Sequence, residues 1–227
     1  MKASAWTTFL SYLTERELET TSSPFNPYLR VNLSRGRLQL TADQAIYSYG
    51  DLYLNFRRAF QQIDRAKLPE RADVLLLGLG LGSIPQMLEQ RFQVRYRYTA
   101  VEIDEVIIQL ASEYVIDELE SPIQTICADG LHFLRLNIQR YDMVCMDIFQ
   151  DAGVPPEFET LETLELLRDT LAEDGLLLYN RLAATPKDQI ESRRFFDDKF
   201  LHVFPRGHLL PTGGNYMLLN TPDKLLP

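Results

Sequence analysis

From residue 73 onward the chain alternates short apolar runs with amphipathic stretches. Val74, Leu75, Leu76 and Leu77 stand in a row between charge (Arg71, Asp73) and glycine (Gly78), the pattern of a parallel strand buried on both faces. Further apolar runs at 96–101, 123–127, 142–146 and 176–180 predict four more strands. Between them, apolar positions recur at helical spacing: Ile84, Met87, Leu88 and Phe92, then Ile107, Leu110, Ala111 and Tyr114, then Leu161, Leu164, Leu167 and Leu171. Helices are also expected over 131–138 and 186–200. Ser83-x-x-Gln86 has the spacing of a capping box with Pro85 in the first turn, and Asp104 and Thr160 read as N-caps. A short strand at 201–204, a reversal at 211–214 and a strand at 216–219 close the chain as an antiparallel hairpin. The whole predicts an α/β fold with a mostly parallel sheet.

The first 70 residues lack this alternation. Residues 28–33 and 37–40 alternate at period two around Ser34-Arg35-Gly36, which predicts a β-hairpin. Residues 20–27 read as irregular chain. A helix with Leu52, Phe56, Phe60 and Ile63 on one face then leads to the main body. We therefore expect a small N-terminal β-rich unit at 1–70 and a Rossmann-like nucleoside-binding catalytic domain at 71–227. Tyr47, Tyr49 and Tyr53 read as core residues or, alternatively, as the lining of a ligand cleft.

Candidate chemistry collects at the carboxyl ends of the strands. Gly78-Leu79-Gly80-Leu81-Gly82-Ser83 follows the first parallel strand and opens a helix. Such a turn offers free backbone N–H groups and the positive end of a helix dipole to an anionic or polar group. Glu102, about twenty residues on, is placed to accept both hydroxyls of a ribose; its alternative reading is a helix-start acid. Asp129 and Asp147 end the next two predicted strands. In an open parallel sheet these positions converge on one crevice. Cys127 and Cys145 are expected as reduced thiols in core strands, and His132, His202 and His208 (helix, strand and loop by this reading) match no metal spacing, so no metal site is expected. Ser83 lies in no Gly-x-Ser-x-Gly elbow.

With 227 residues, 45% of them hydrophobic, the chain can bury a full α/β core, and its net charge of −9 argues against nucleic acid as a partner. No stretch is long and apolar enough to span a membrane, and the first ten residues lack the pattern of a secretory signal, so a cytoplasmic location is expected.

The glycine loop, the Val101-Glu102-Ile103-Asp104 segment, Ala128-Asp129-Gly130 and Asp147 at a strand end resemble the spermidine synthase-like branch of the class I S-adenosylmethionine-dependent methyltransferase superfamily. The resemblance implies a Rossmann-like methyltransferase sheet and a group transferase whose donor is S-adenosylmethionine or its decarboxylated form, used without a metal. It implies that Gly78, Leu79, Gly80, Gly82 and Ser83 wrap the donor, that Glu102 holds its ribose with Ile103 alongside, and that Asp129, next to Gly130, meets the adenine amine. Asp147 would be the base that deprotonates a small-molecule acceptor, with Tyr49, Tyr53 and Asp151 on the acceptor side. It also implies a homodimer through the N-terminal unit. Two departures matter. Aminopropyl-transferring members have Gly-Gly-Gly-Asp-Gly-Gly and Asp-Ser-Ser-Asp-Pro, where this chain has Leu81 for the acid of the first motif and Asp147-Ile148-Phe149-Gln150-Asp151 for the second. Loss of those polar groups predicts methyl transfer, with aminopropyl transfer as the alternative. A dinucleotide site and a non-catalytic nucleoside- or partner-binding module are the competing readings.

Overall fold

A computed structural model describes residues 5–42, 45–149 and 153–227. Helix α1 (Ala5–Leu10) leads into strands β1 (Arg16–Thr21), β2 (Leu29–Ser34), β3 (Arg37–Ala42) and β4 (Ala45–Ser48), which form an antiparallel sheet in the order β1-β2-β3-β4. The expected hairpin is β2–β3, with Ser34 opposite Arg37. Strand β1 falls in part on chain read as irregular: its sequence, Arg-Glu-Leu-Glu-Thr-Thr, has no buried position and sits at a sheet edge, so no apolar alternation marks it.

Helix α2 (Leu54–Gln62) carries the chain to the second sheet, built from β5 (Asp73–Leu77), β6 (Arg97–Glu102), β7 (Ile123–Cys127), β8 (Tyr141–Met146), β9 (Leu171–Leu182), β10 (His208–Pro211) and β11 (Asn215–Leu219). Its order is β10-β11-β9-β8-β5-β6-β7. Strands β5 to β9 pair in parallel, and β11 runs antiparallel to both β9 and β10. The sheet is the expected α/β sheet with a terminal antiparallel hairpin. Helices α3 (Ser83–Gln90), α4 (Glu105–Tyr114), α5 (Gly130–Leu136), α6 (Leu161–Thr170) and α7 (Pro186–Phe195) complete the fold.

Strand β5 shows why the period-one apolar run was informative. Val74 and Leu76 enter one core with Phe56, Met87 and Met217, while Leu75 and Leu77 enter another with Leu164, Tyr179 and Phe200. All four are buried, and truncating such a side chain to alanine costs about 2–5 kcal/mol. A third cluster joins the two sheets: Leu29, Val31 and Leu40 of the small sheet meet Leu81, Ile107 and Leu110.

Three local expectations are corrected. Residues 201–204 are not a strand: after α7 a π-helical turn, Phe196–Phe200, continues into the helical turn Leu201–Val203, and the hairpin's first strand is β10. The Phe196, Phe200 and Phe204 rings pack successively along this segment, which explains how an apolar run that reads as strand stays helical. His202 is consequently helical and His208 lies in a strand. Cys127 is exposed on the edge strand β7, whereas Cys145 is buried as expected.

Candidate active site

The loop after β5 requires its glycines. Gly78 (φ +90°), Gly80 (φ +53°) and Gly82 (φ +80°) all adopt the left-handed region that a side chain disfavours. A Cβ on Gly78 would lie 2.5 Å from the carbonyl oxygen of Asp147, and one on Gly80 would lie 3.1 Å from that of Tyr47. The close approach demanded by the glycines is therefore made by the protein's own backbone, at the end of β8 and along β4. The capping box is also corrected. Helix α3 has Gly82 as its N-cap, without a side-chain cap, because the Ser83 hydroxyl instead pairs with Ser48 Oγ at 2.6 Å and accepts from the Tyr49 N–H at 3.1 Å. Ser83 clips the small sheet onto the glycine loop.

The acids follow. Glu102 ends β6; its Oε2 accepts from the Leu79 N–H at 3.1 Å and its Oε1 from the Asp104 N–H at 3.2 Å. Asp104 caps α4 as expected, accepting from the Val106 N–H, and Glu102 braces that cap residue through its N–H while also reaching back to the glycine loop. Burial raises the Glu102 pKa against the pull of those backbone donors. Asp129 caps α5 through Oδ1, which accepts from the His132 N–H at 2.7 Å. Asp147 follows β8, and its Oδ1 accepts from both the Tyr53 hydroxyl at 3.1 Å and Asn180 Nδ2 at 2.8 Å. Burial pushes the Asp147 carboxyl up to about 7; the Asn180 and Tyr53 hydrogen bonds oppose this and the Glu102 charge adds to it. Burial and the Asp147 charge in turn push the Tyr53 phenol up, which keeps it a donor.

These groups border one cavity of about 540 Å³ at the carboxyl ends of the strands. Of the residues singled out from sequence, Gly78, Gly80, Glu102, Ile103, Asp129, Gly130, Asp147, Tyr47 and Tyr53 line it. Leu79, Gly82, Ser83 and Tyr49 do not: Leu79 is buried and reaches the site only through its N–H on Glu102, and the Tyr49 hydroxyl bonds Ser34 at 3.0 Å. Asp151 lies outside the described residues. Sequence reasoning missed Asn26, Asn55, Asn180 and Asn215 and the apolar Phe25 and Phe158, all of which line the cavity. Asn180 ends the run read as the fifth strand, so its place at a strand end was the one available signal. Among the described lining residues the charged ones are Glu102, Asp129, Asp147 and Glu157, with no Lys, Arg or His. The described residues contain no group of three or more His, Cys, Asp or Glu side chains arranged to hold a metal ion, and no helix long and apolar enough to cross a membrane.

A glycine loop after β5 and acids at the ends of β6, β7 and β8, on a sheet of this order, define the Rossmann-like fold class of the methyltransferases. Solved structures agree: a probable spermidine synthase from Corynebacterium glutamicum covers 90% of this chain and 80% of its own length at TM-score 0.73 and 16% identity. Human methyltransferase-like protein 13, in complex with SAH, covers 76% and 85% at TM-score 0.62 and 20% identity. In sequence, a probable polyamine aminopropyl transferase from Bifidobacterium longum is 29% identical over 136 residues, which are 60% of this chain and 30% of that protein. The profile of the spermine/spermidine synthase domain matches residues 63–206, and the chain belongs to that family. It spans about a third of the length of the Bifidobacterium relative.

The relatives' names lend no support to methyl transfer and favour its alternative, aminopropyl transfer. The structure removes one of the grounds for methyl transfer. Of its two grounds, Leu81 does not lie beside the donor's tail: it is 2% exposed and packs with Leu29, Val31, Leu40 and Leu110, outside the cavity lining, whereas Ile148 and Phe149, which replace the two hydroxyls, do line the cavity. An apolar residue at the place of Leu81 says nothing about the charge of the donor.

Proposed function

We propose that the chain is an aminopropyltransferase that moves the three-carbon amine arm of decarboxylated S-adenosylmethionine onto a small amine. The observation that carries this reading is the cavity wall: four carboxylates and no cation among the described lining residues. A sulfonium with a free ammonium and no carboxylate suits such a wall, whereas the α-carboxylate of S-adenosylmethionine would meet like charge. Glu102 and Asp129 are assigned to the ribose and the adenine amine, both at the β6 and β7 side. Asp147 is assigned the base: its Oδ2, which carries no hydrogen bond to any described residue, takes a proton from the acceptor nitrogen. That nitrogen attacks the carbon next to sulfur, the carbon–sulfur bond breaks, and methylthioadenosine leaves with the electron pair.

In this reading residues 71–227 form the catalytic domain and residues 1–70 the unit that covers it, since Phe25, Asn26 and Tyr47 border the same cavity. Self-association through that unit belongs to the reading and is supported by the exposed Trp6, Phe9, Tyr12 and Leu13. The test is incubation with either donor plus putrescine, following products by mass spectrometry. Methylthioadenosine from the decarboxylated donor is expected. S-adenosylhomocysteine from the ordinary donor, or no product from either, overturns the assignment. A pH profile of kcat adds a second check: activity should rise with pH through about 7 as Asp147 ionises.

A further inference from the structure

Beside Asp147 the cavity wall carries two amides, Asn180 and Asn215. Asn180 lies on β9 and is fully buried; Asn215 opens β11. The antiparallel register puts Asn215 opposite Leu182, two residues from Asn180, so the two asparagines are diagonal neighbours on one face of the sheet. Asn215 Nδ2 donates to Asn180 Oδ1 at 3.0 Å, and Asn180 Nδ2 donates to Asp147 Oδ1 at 2.8 Å. The hairpin tip that presents Asn215 is itself tied down. Arg58 Nη1 of α2 donates to the Thr212 carbonyl at 2.6 Å, Thr212 Oγ1 donates to the Asn215 carbonyl at 3.0 Å, and the Ala183 N–H donates to the Gly214 carbonyl at 2.8 Å.

The direction of this chain is determined by chemistry. A carboxylate only accepts, so Asn180 must turn its NH2 toward Asp147, and its oxygen then needs a donor. Asn215 supplies one. Flipping Asn180 would set oxygen against carboxylate oxygen and NH2 against NH2, breaking both bonds. We infer that Asn215 and Asn180 form an amide relay of positioning residues that holds Oδ1 of Asp147 as a pure acceptor and so leaves Oδ2 as the atom that receives the acceptor's proton.

The inference rests on the transferase reading for its role, though not for its geometry. Protonated on Oδ2, Asp147 keeps the Asn180 bond through Oδ1, but only as a neutral pair. The same N–H donor holds the ionised carboxylate more strongly, so the relay favours the anion by the difference. The titratable groups facing Asp147 are the Tyr53 phenol, Glu102, Asp129 and Glu157 around the cavity, and the buried Cys145 on β8 beneath it. None of these brings positive charge, so neutral donors alone support the anion.

The test reads Asp147 directly. Carbon-13 NMR of aspartate side-chain carboxyls, with Asp147→Asn identifying the signal, follows its titration in the full chain without any substrate. Asn180→Leu, which removes the direct donor, and Asn215→Leu, which removes only the donor behind it, should each raise the apparent pKa by about 0.5 to 1 pH unit, the margin of a charged hydrogen bond over a neutral one. Thermal unfolding checks that each variant folds, and Asn215→Ala serves if Asn215→Leu does not. A shift with Asn180→Leu but none with either Asn215 variant overturns the relay, as does no shift in any variant. With activity in hand, the acidic limb of the kcat profile should move up by the same amount. Absence of turnover in the wild type would count against the transferase reading alone, since the NMR titration needs no reaction.

Discussion

Replacing Asp147 by asparagine should abolish catalysis and make the protein more stable. The side-chain oxygen of asparagine keeps both hydrogen bonds, from the Tyr53 hydroxyl and from Asn180 Nδ2, while the buried charge disappears. An acid whose folded pKa exceeds its unfolded value favours the folded state only while protonated, so stability is lost as pH rises from about 4 through about 7. The step from 3.8 to about 7, at about 1.4 kcal/mol per pH unit, makes the full loss about 4 kcal/mol above pH 7. At pH 5.5 only the part between 3.8 and 5.5 has been lost, about 2 kcal/mol. Urea unfolding of both proteins at pH 5.5 and pH 8 should thus show Asp147→Asn more stable at each pH, with a gap about 2 kcal/mol wider at pH 8. At this chain length the gap at pH 8 corresponds to a rise in Tm of about 8–16 °C. A variant no more stable than wild type at pH 8, or a gap that does not change with pH, refutes the account of Asp147 as a buried base held ready by desolvation.

Glu102→Ala should weaken methylthioadenosine binding at least about tenfold by calorimetry, as hydrogen bonds to charged groups are worth about 1.5–3 kcal/mol; unchanged affinity would leave Glu102 only its bonds to the Leu79 and Asp104 N–H groups. Leu81→Asp should destabilise the fold by about 3 kcal/mol or more, because it buries an unpaired charge among Leu29, Val31 and Leu110, and it should not improve binding of the decarboxylated donor. A well-folded Leu81→Asp protein with tighter binding of that donor would return Leu81 to the cavity. Gly78→Ala should cost about 1–3 kcal/mol through its positive φ and the Asp147 carbonyl, visible as a lowered urea midpoint; an unchanged midpoint would show that the loop can relax around a Cβ.

The sequence alone determined the strands at 74–77, 123–127 and 142–146, the caps at Asp104 and Thr160, and the convergence of Gly78, Glu102, Asp129 and Asp147 on one crevice. Each is a local matter: burial on two faces leaves an unbroken apolar run, a cap is written within four residues, and a parallel sheet brings its strand ends together whatever the connections between them. Tertiary structure decided the rest. Nothing near Leu81 shows that it faces the small sheet, because that partner lies some fifty residues away in the chain. Ser83 reads as a helix cap until Ser48 and the Tyr49 N–H are placed against it, and a hydroxyl engaged there no longer serves as the cap. Asn180 and Asn215 look like ordinary polar residues of a strand and a turn; only the pairing of β9 with β11 aligns their amides toward Asp147. The ionisation of Asp147 is likewise absent from the sequence, since a carboxyl pKa near 7 comes from the water its neighbours exclude and the few neutral donors they return.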